Sequence, residues 1–239
     1  PNLTWTTQVW EAAVYACSRD PQNALVTSEN LVREMVQKGL KMTYRLYLAL
    51  FQVCNTLGNV PKAMKLLDQI REIDNHIHMN EKLWGASLQV CAKAGEPGVA
   101  QLVLETMQEE GHKINVYHCT SYLSALSVAG FDRKAIQFID HMAGIKDDGD
   151  FECDLIVPKP DRVAIQTAMG ACITTGNFDG AMLIIDRLKE RKYGDHIQLS
   201  TFDYNLALSA CHNGTEAKEL IREMRLTRRF RTGVVPPDR

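Results

Sequence analysis

One apolar ladder recurs along the chain. A small residue is followed by large apolar residues three, four and seven positions later. Ala100, Val103, Leu104 and Met107 form the clearest copy. Ser28, Leu31, Val32, Met35 and Ala63, Leu66, Leu67, Ile70 precede it. Ala135, Phe138, Ile139, Met142 follow, then Ala181, Ile184, Ile185, Leu188 and Ala217, Leu220, Ile221, Met224. This spacing puts one narrow stripe on one helix face, with the small residue where two helices approach closely. The copies start 35, 37, 35, 46 and 36 residues apart.

A second pattern leads into each ladder. An aromatic stands seven residues before a cysteine in Trp10 to Cys17, Tyr47 to Cys54, Trp84 to Cys91 and Tyr204 to Cys211, and Ile165 takes that place before Cys172. Gly58, Gly95, Gly130 and Gly176 fall where a first helix should stop, and Gly39 and Gly111 where a second should. No strand-like alternation intervenes. The pattern predicts an all-α chain of about twelve helices in six hairpins. Such hairpins cannot bury their stripes alone, so they must stack into a solenoid. The expected repeats are 7–43, 44–80, 81–115, 116–161, 162–200 and 201–238, one array over residues 1–239. The 46-residue step marks an inserted acidic loop at about 144–159.

Composition narrows this picture. The 239 residues are 45% hydrophobic and 23% charged, with a net charge of −2. That balance argues against tight, charge-driven nucleic-acid binding but leaves room for a local basic face. No apolar run approaches the roughly 20 residues of a membrane span, so no membrane insertion is expected. Seven cysteines without C-x-x-C spacing argue against a disulfide framework or zinc site and fit a reducing compartment. The five that share one repeat place read as small buried apolar residues. The opening Pro1-Asn2-Leu3 lacks an initiator Met, as expected of a mature form or a fragment whose targeting peptide lies outside it.

A hairpin of about 35 residues, with Gly between its helices, Ala five residues on, Met near the end and a closing Asn or Asp, resembles the pentatricopeptide repeat. Lys159-Pro160-Asp161 matches the closing triplet of that family. The tetratricopeptide repeat is the nearest rival, but its W-x-x-L-G-x-x-Y signature is missing. The resemblance covers about residues 7–238 and implies a right-handed superhelical solenoid. It also implies single-stranded RNA as partner, read one base per repeat. The fifth and last residues of a repeat would meet the base edge, and the second would stack on the base.

On that pattern Thr120 with Asp161 is the combination associated with guanine, and Asn205 with Asp238 that associated with uracil. Tyr117, Val163 and Phe202 hold stacking places. Gln166 with Ser200 is unorthodox. The N-terminal half departs further: its pairs are Glu11 with Thr43, Leu48 with Asn80 and Gly85 with Asn115, and its stacking places hold Gln8, Arg45 and Lys82. RNA reading is therefore expected in the C-terminal half. Arg225, Arg228 and Arg229 are candidate phosphate contacts, or else a solvated helix end.

No P-loop, G-x-G-x-x-G, H-E-x-x-H or nucleophile elbow occurs. No enzyme, catalytic residue, metal site, cofactor or small-molecule substrate is expected. The acidic segment Lys146 to Asp154 reads as a solvated or docking loop rather than a metal site, and Leu155-Ile156-Val157 as a segment that packs on the solenoid or docks to another protein. His76 and His78 read as surface residues. Two functions stay open. One is a non-catalytic RNA-binding adaptor of a mitochondrion or chloroplast, acting in RNA processing, stability or translation. The other is a scaffold subunit making protein contacts in a large assembly such as an organellar ribosome or membrane complex. A weaker third is the repeat arm of a larger enzyme.

Overall fold

The computed structural model describes residues 6–72, 77–145 and 153–232, with side chains described as far as residue 225. Twelve α-helices occupy the described residues, with no strand. The first helices of the hairpins are α1 (Thr7–Cys17), α3 (Tyr44–Leu57), α5 (Glu81–Ala94), α7 (Val116–Ala129), α9 (Arg162–Thr175) and α11 (Thr201–Ser209). The second helices are α2 (Ala24–Gln37), α4 (Val60–Glu72), α6 (Pro97–Glu109), α8 (Asp132–Ala143), α10 (Phe178–Lys189) and α12 (Gly214–Thr232).

The ends of these helices follow from local chemistry. Gly58, Gly95 and Gly176 sit at the C-caps of α3, α5 and α9 with positive φ. The next residue then donates back to a carbonyl five residues earlier: Asn59 to Cys54, Glu96 to Cys91 and Asn177 to Cys172, at 2.8–3.0 Å. This is the Schellman closure. The repeated cysteine therefore supplies the carbonyl that ends its helix as well as a buried side chain. Gly95 meets a second demand, because a Cβ there would lie 2.8 Å from Val128 Cγ1 on α7.

Stacking buries the ladders. The chain divides into two compact units, Pro1–Ala129 with Leu155–Val157, and Gly130–Asp154 with Pro158–Arg239. In the first unit α1, α3, α5 and α7 pack side by side in sequence order, with α2, α4 and α6 seated behind them. In the second, α9 packs on α8, α10 and α11, and α11 on α12. All four residues of each inner ladder, on α4, α6, α8 and α10, are buried. The outer copies open. Leu31 and Val32 are half-buried, and Ile221 on α12 is exposed. α12 packs on α11, and its Glu223 pairs with Lys189 of α10 at 2.5 Å.

Two buried polar groups lock particular joints. His118 on α7 takes the Asn115 N–H at Nδ1 (3.2 Å), while its Nε2 meets the Glu81 carbonyl at 2.9 Å. The carbonyl can only accept, so Nε2 carries the proton. Burial lowers the His118 pKa, which keeps the ring neutral. In the second unit Asp140 of α8 pairs with Arg187 of α10 and accepts from Tyr193 Oη at 3.0 Å. All three are buried. Tyr193 lies in the long connection from α10 to α11, and burial holds its hydroxyl well above the usual phenol range. That connection, irregular in sequence, is thereby anchored to two helices.

The cysteines are free thiols, with Cys54, Cys91, Cys119 and Cys172 buried. Burial pushes Cys54 up to about 11 and Cys91 and Cys172 up to about 12. Burial thus disfavours the thiolate that redox chemistry uses. Of the inserted loop, Lys146 to Glu152 lies outside the described residues. Leu155 is buried, and the Ile156 N–H donates to Gln108 Oε1 of α6 at 2.6 Å. The segment thus packs on the first unit. No described helix is long and apolar enough to cross a membrane.

Candidate nucleic-acid interface

The last residue of each of the first five expected repeats is also the residue that starts the next first helix. Thr43 Oγ1 accepts from Leu46 N (3.1 Å), Asn80 Oδ1 from Lys82 N and Leu83 N, and Asn115 Oδ1 from His118 N. Asp161 Oδ1 accepts from Ala164 N at 2.8 Å, and Ser200 closes a capping box with Asp203. Each of these side chains satisfies orphan amides of a helix N-terminus. The same event fixes it beside the first turn, at the mouth of the first-helix layer. A cap uses one carboxylate oxygen of Asp161 and leaves the group exposed for a further donor.

The stacking places share one geometry. Tyr117, Val163 and Phe202 are the second residues of α7, α9 and α11, and all three are more than half exposed. Val163 and Phe202 stand on the adjacent helices α9 and α11. Tyr117 lies with its ring over Gly85 of α5. A Cβ on Gly85 would sit 3.0 Å from Tyr117 Cε1.

The base-edge places differ in their availability. Thr120 is half-buried and donates to the Val116 carbonyl at 2.8 Å, leaving its oxygen lone pairs. Asn205 is exposed on α11. Gln166 donates to Asp203 Oδ1 at 3.3 Å. Ser200 Oγ donates to Asp203 Oδ2 at 2.8 Å and accepts from Arg162 Nη1 at 3.3 Å. Arg162 also reaches Asp203 Oδ2 at 3.1 Å. The fifth repeat therefore spends its reading groups on holding α9 to α11. At the first repeat Thr43 Oγ1 donates to Glu11 Oε1 at 2.6 Å, so that pair is closed on itself.

Arg225, Arg222 and Lys218 are exposed on α12. Arg228 and Arg229 lie in the same helix, their side chains outside the described residues, as Asp238 and His76 are altogether. His78 is exposed. Among the described residues no cluster of three His, Cys, Asp or Glu is placed to hold a metal.

The structure also forms a groove that the spacing alone did not point to. It measures about 870 Å³ and runs across α1, α3, α5 and α7 of the first unit. Tyr15, Gln52 and Gln89 line it from one equivalent place in three successive helices, 37 residues apart each time. That recurrence is the signal in the sequence that marks the row.

No protein-family model matches the sequence, and no curated protein matches it. Solved structures do match in fold. The pentatricopeptide repeat protein PPR10 in complex with an 18-nt psaJ RNA element is 18% identical, with a TM-score of 0.63 over 99% of this chain and 30% of that one. Nuclear proteinaceous RNase P 2 (PRORP2) from A. thaliana is 12% identical, with a TM-score of 0.55 over 85% of this chain and 41% of that one. The fold is therefore an all-α array of helical hairpins similar to that of these structures. The chain spans less than half the length of either of these structures.

Proposed function

We propose that this chain is a non-catalytic RNA-binding adaptor of a mitochondrion or chloroplast. It holds single-stranded RNA in processing, stability or translation. The observation that carries the reading is the exposure of Val163 and Phe202 at one equivalent place on the adjacent first helices α9 and α11. Base stacking on such side chains is worth about 1–3 kcal/mol per base for an aromatic platform. Exposed Asp161 and Asn205 offer hydrogen bonds beside them. The complex of the similar PPR10 structure with RNA supports the same reading. Arg225 adds phosphate contact from α12, with Arg228 and Arg229 beyond it. The near-neutral charge implies few phosphate contacts and a shallow salt dependence.

A specific observation favours a second reading for part of the chain. The closed Glu11–Thr43 pair and the Gln166, Ser200 and Asp203 network leave two repeats without free base-reading groups. This suits a scaffold that contacts protein as well as RNA.

Fluorescence anisotropy with a labelled single-stranded RNA pool at moderate salt tests the proposal. Val163→Ser with Phe202→Ser should lower affinity about tenfold or more without loss of helicity, as expected from stacking energies. Asp161→Asn should change preference at one base, since an acceptor becomes partly a donor while the cap survives. No binding by the unaltered chain, or binding indifferent to both changes, would refute the reading.

A further inference from the structure

We infer that the groove across α1, α3, α5 and α7 binds an extended peptide segment of a partner protein, of mixed charge, and not RNA. The inference stands independently of the proposed RNA contacts.

The groove's polar row fits a peptide main chain. Gln52 and Gln89 occupy the same place in α3 and α5, and Asn55 stands one turn beyond Gln52. Their side-chain amides are half-buried and have no hydrogen-bond partner among the described residues. Each amide offers donors and an acceptor together, as a peptide unit does. Neighbouring helix axes lie about 8–10 Å apart. An extended chain rises about 3.3 Å per residue, so about every third residue would come level with the next helix and its amide.

Charge points the same way. The lining carries Glu11 and Glu81 against Arg45 and Lys82, a net charge of zero. Single-stranded RNA brings a phosphate with every nucleotide and draws its affinity from a positive groove. Here it would meet two carboxylates. A peptide bearing both acidic and basic side chains finds a partner for each.

The base-edge places in this groove are also shut. Glu11 is held by Thr43. Leu48 has no polar side-chain atom. At Gly85 the Tyr117 ring lies where a reading side chain would project. That ring instead forms an aromatic wall at the α7 end of the groove, and Tyr15, half exposed, supplies another at the α1 end.

The test uses the whole chain and a phage-displayed library of random peptides. Enriched peptides are synthesised with a fluorophore and titrated against the unaltered chain, the double variant Gln52→Ala/Gln89→Ala, and Glu11→Gln. Circular dichroism checks that each variant keeps its fold. The expected result is enrichment of peptides carrying both acidic and basic residues. The double variant should bind them about tenfold or more weakly, the loss expected for two hydrogen bonds. Its affinity for the single-stranded RNA pool should stay within about twofold, since the mutated amides make no RNA contact on this inference. Failure to enrich any peptide overturns the inference, as does equal peptide binding by the double variant. A fall in RNA affinity for that variant overturns it too, and assigns the groove to RNA.

Discussion

Replacing Asp140 with Ala should be among the most damaging single changes in the second unit. Asp140 is 1% exposed and Arg187 8%. Their ion pair, with Tyr193 donating to the second carboxylate oxygen at 3.0 Å, ties α8, α10 and the following connection together. Removing the carboxylate leaves a buried guanidinium without its counter-charge and a buried phenol without its acceptor. Breaking one side of a buried pair costs about 3–5 kcal/mol. With a urea slope near about 2 kcal/mol/M, that lowers the unfolding midpoint by about 1.5–2.5 M. Tyr193→Phe removes one hydrogen bond to a charged group and should cost about 1.5–3 kcal/mol. The double change Asp140→Leu/Arg187→Met removes both charges and should recover much of the loss, since apolar replacement of a buried pair is often near neutral. Urea unfolding followed by far-UV circular dichroism reads all three. A cost below about 1 kcal/mol for Asp140→Ala, or a double variant as damaged as the single one, would show that the pair does not hold this joint.

Further expectations concern the joints of the first unit. The His118 pKa is lowered in the folded chain, so the unfolded chain takes up the proton first as pH falls. Stability should be full above the ordinary histidine value of about 6.5, decline below it, and level off once the folded protein binds the proton too. Urea midpoints between pH 8 and pH 5 (about the range in which histidine titrates) should show this decline, and His118→Gln should flatten it. An equal slope in both proteins would place its origin elsewhere. Gly95→Ala forces a Cβ into a left-handed backbone, which costs about 1–2 kcal/mol, and adds the clash with Val128. A thermal melt within error of the unaltered protein would refute that account.

What the sequence determined was the repeating part of the molecule. The ladder spacing is a local property of helices, so every inner copy could be placed on a buried face from residue type alone. The cysteine place and the stop glycines were legible for the same reason: a left-handed cap and a small buried side chain leave fixed residue types behind. Tyr117, Val163 and Phe202 were marked only through the resemblance of their repeat place, and all three are more than half exposed.

Tertiary structure decided what lies between repeats. Whether Ser200 and Gln166 face solvent depends on Arg162 and Asp203, which reach them from about forty residues away in sequence. The closure of Glu11 on Thr43, the Tyr117 ring over Gly85, and the Asp140–Arg187–Tyr193 lock are likewise contacts across helices. The groove of the first unit exists only because four first helices pack side by side and bring Tyr15, Gln52 and Gln89 into one row. Periodicity reports which face of a helix is buried. It does not report which polar side chains find each other once the helices are stacked, because that depends on distances the local pattern does not set.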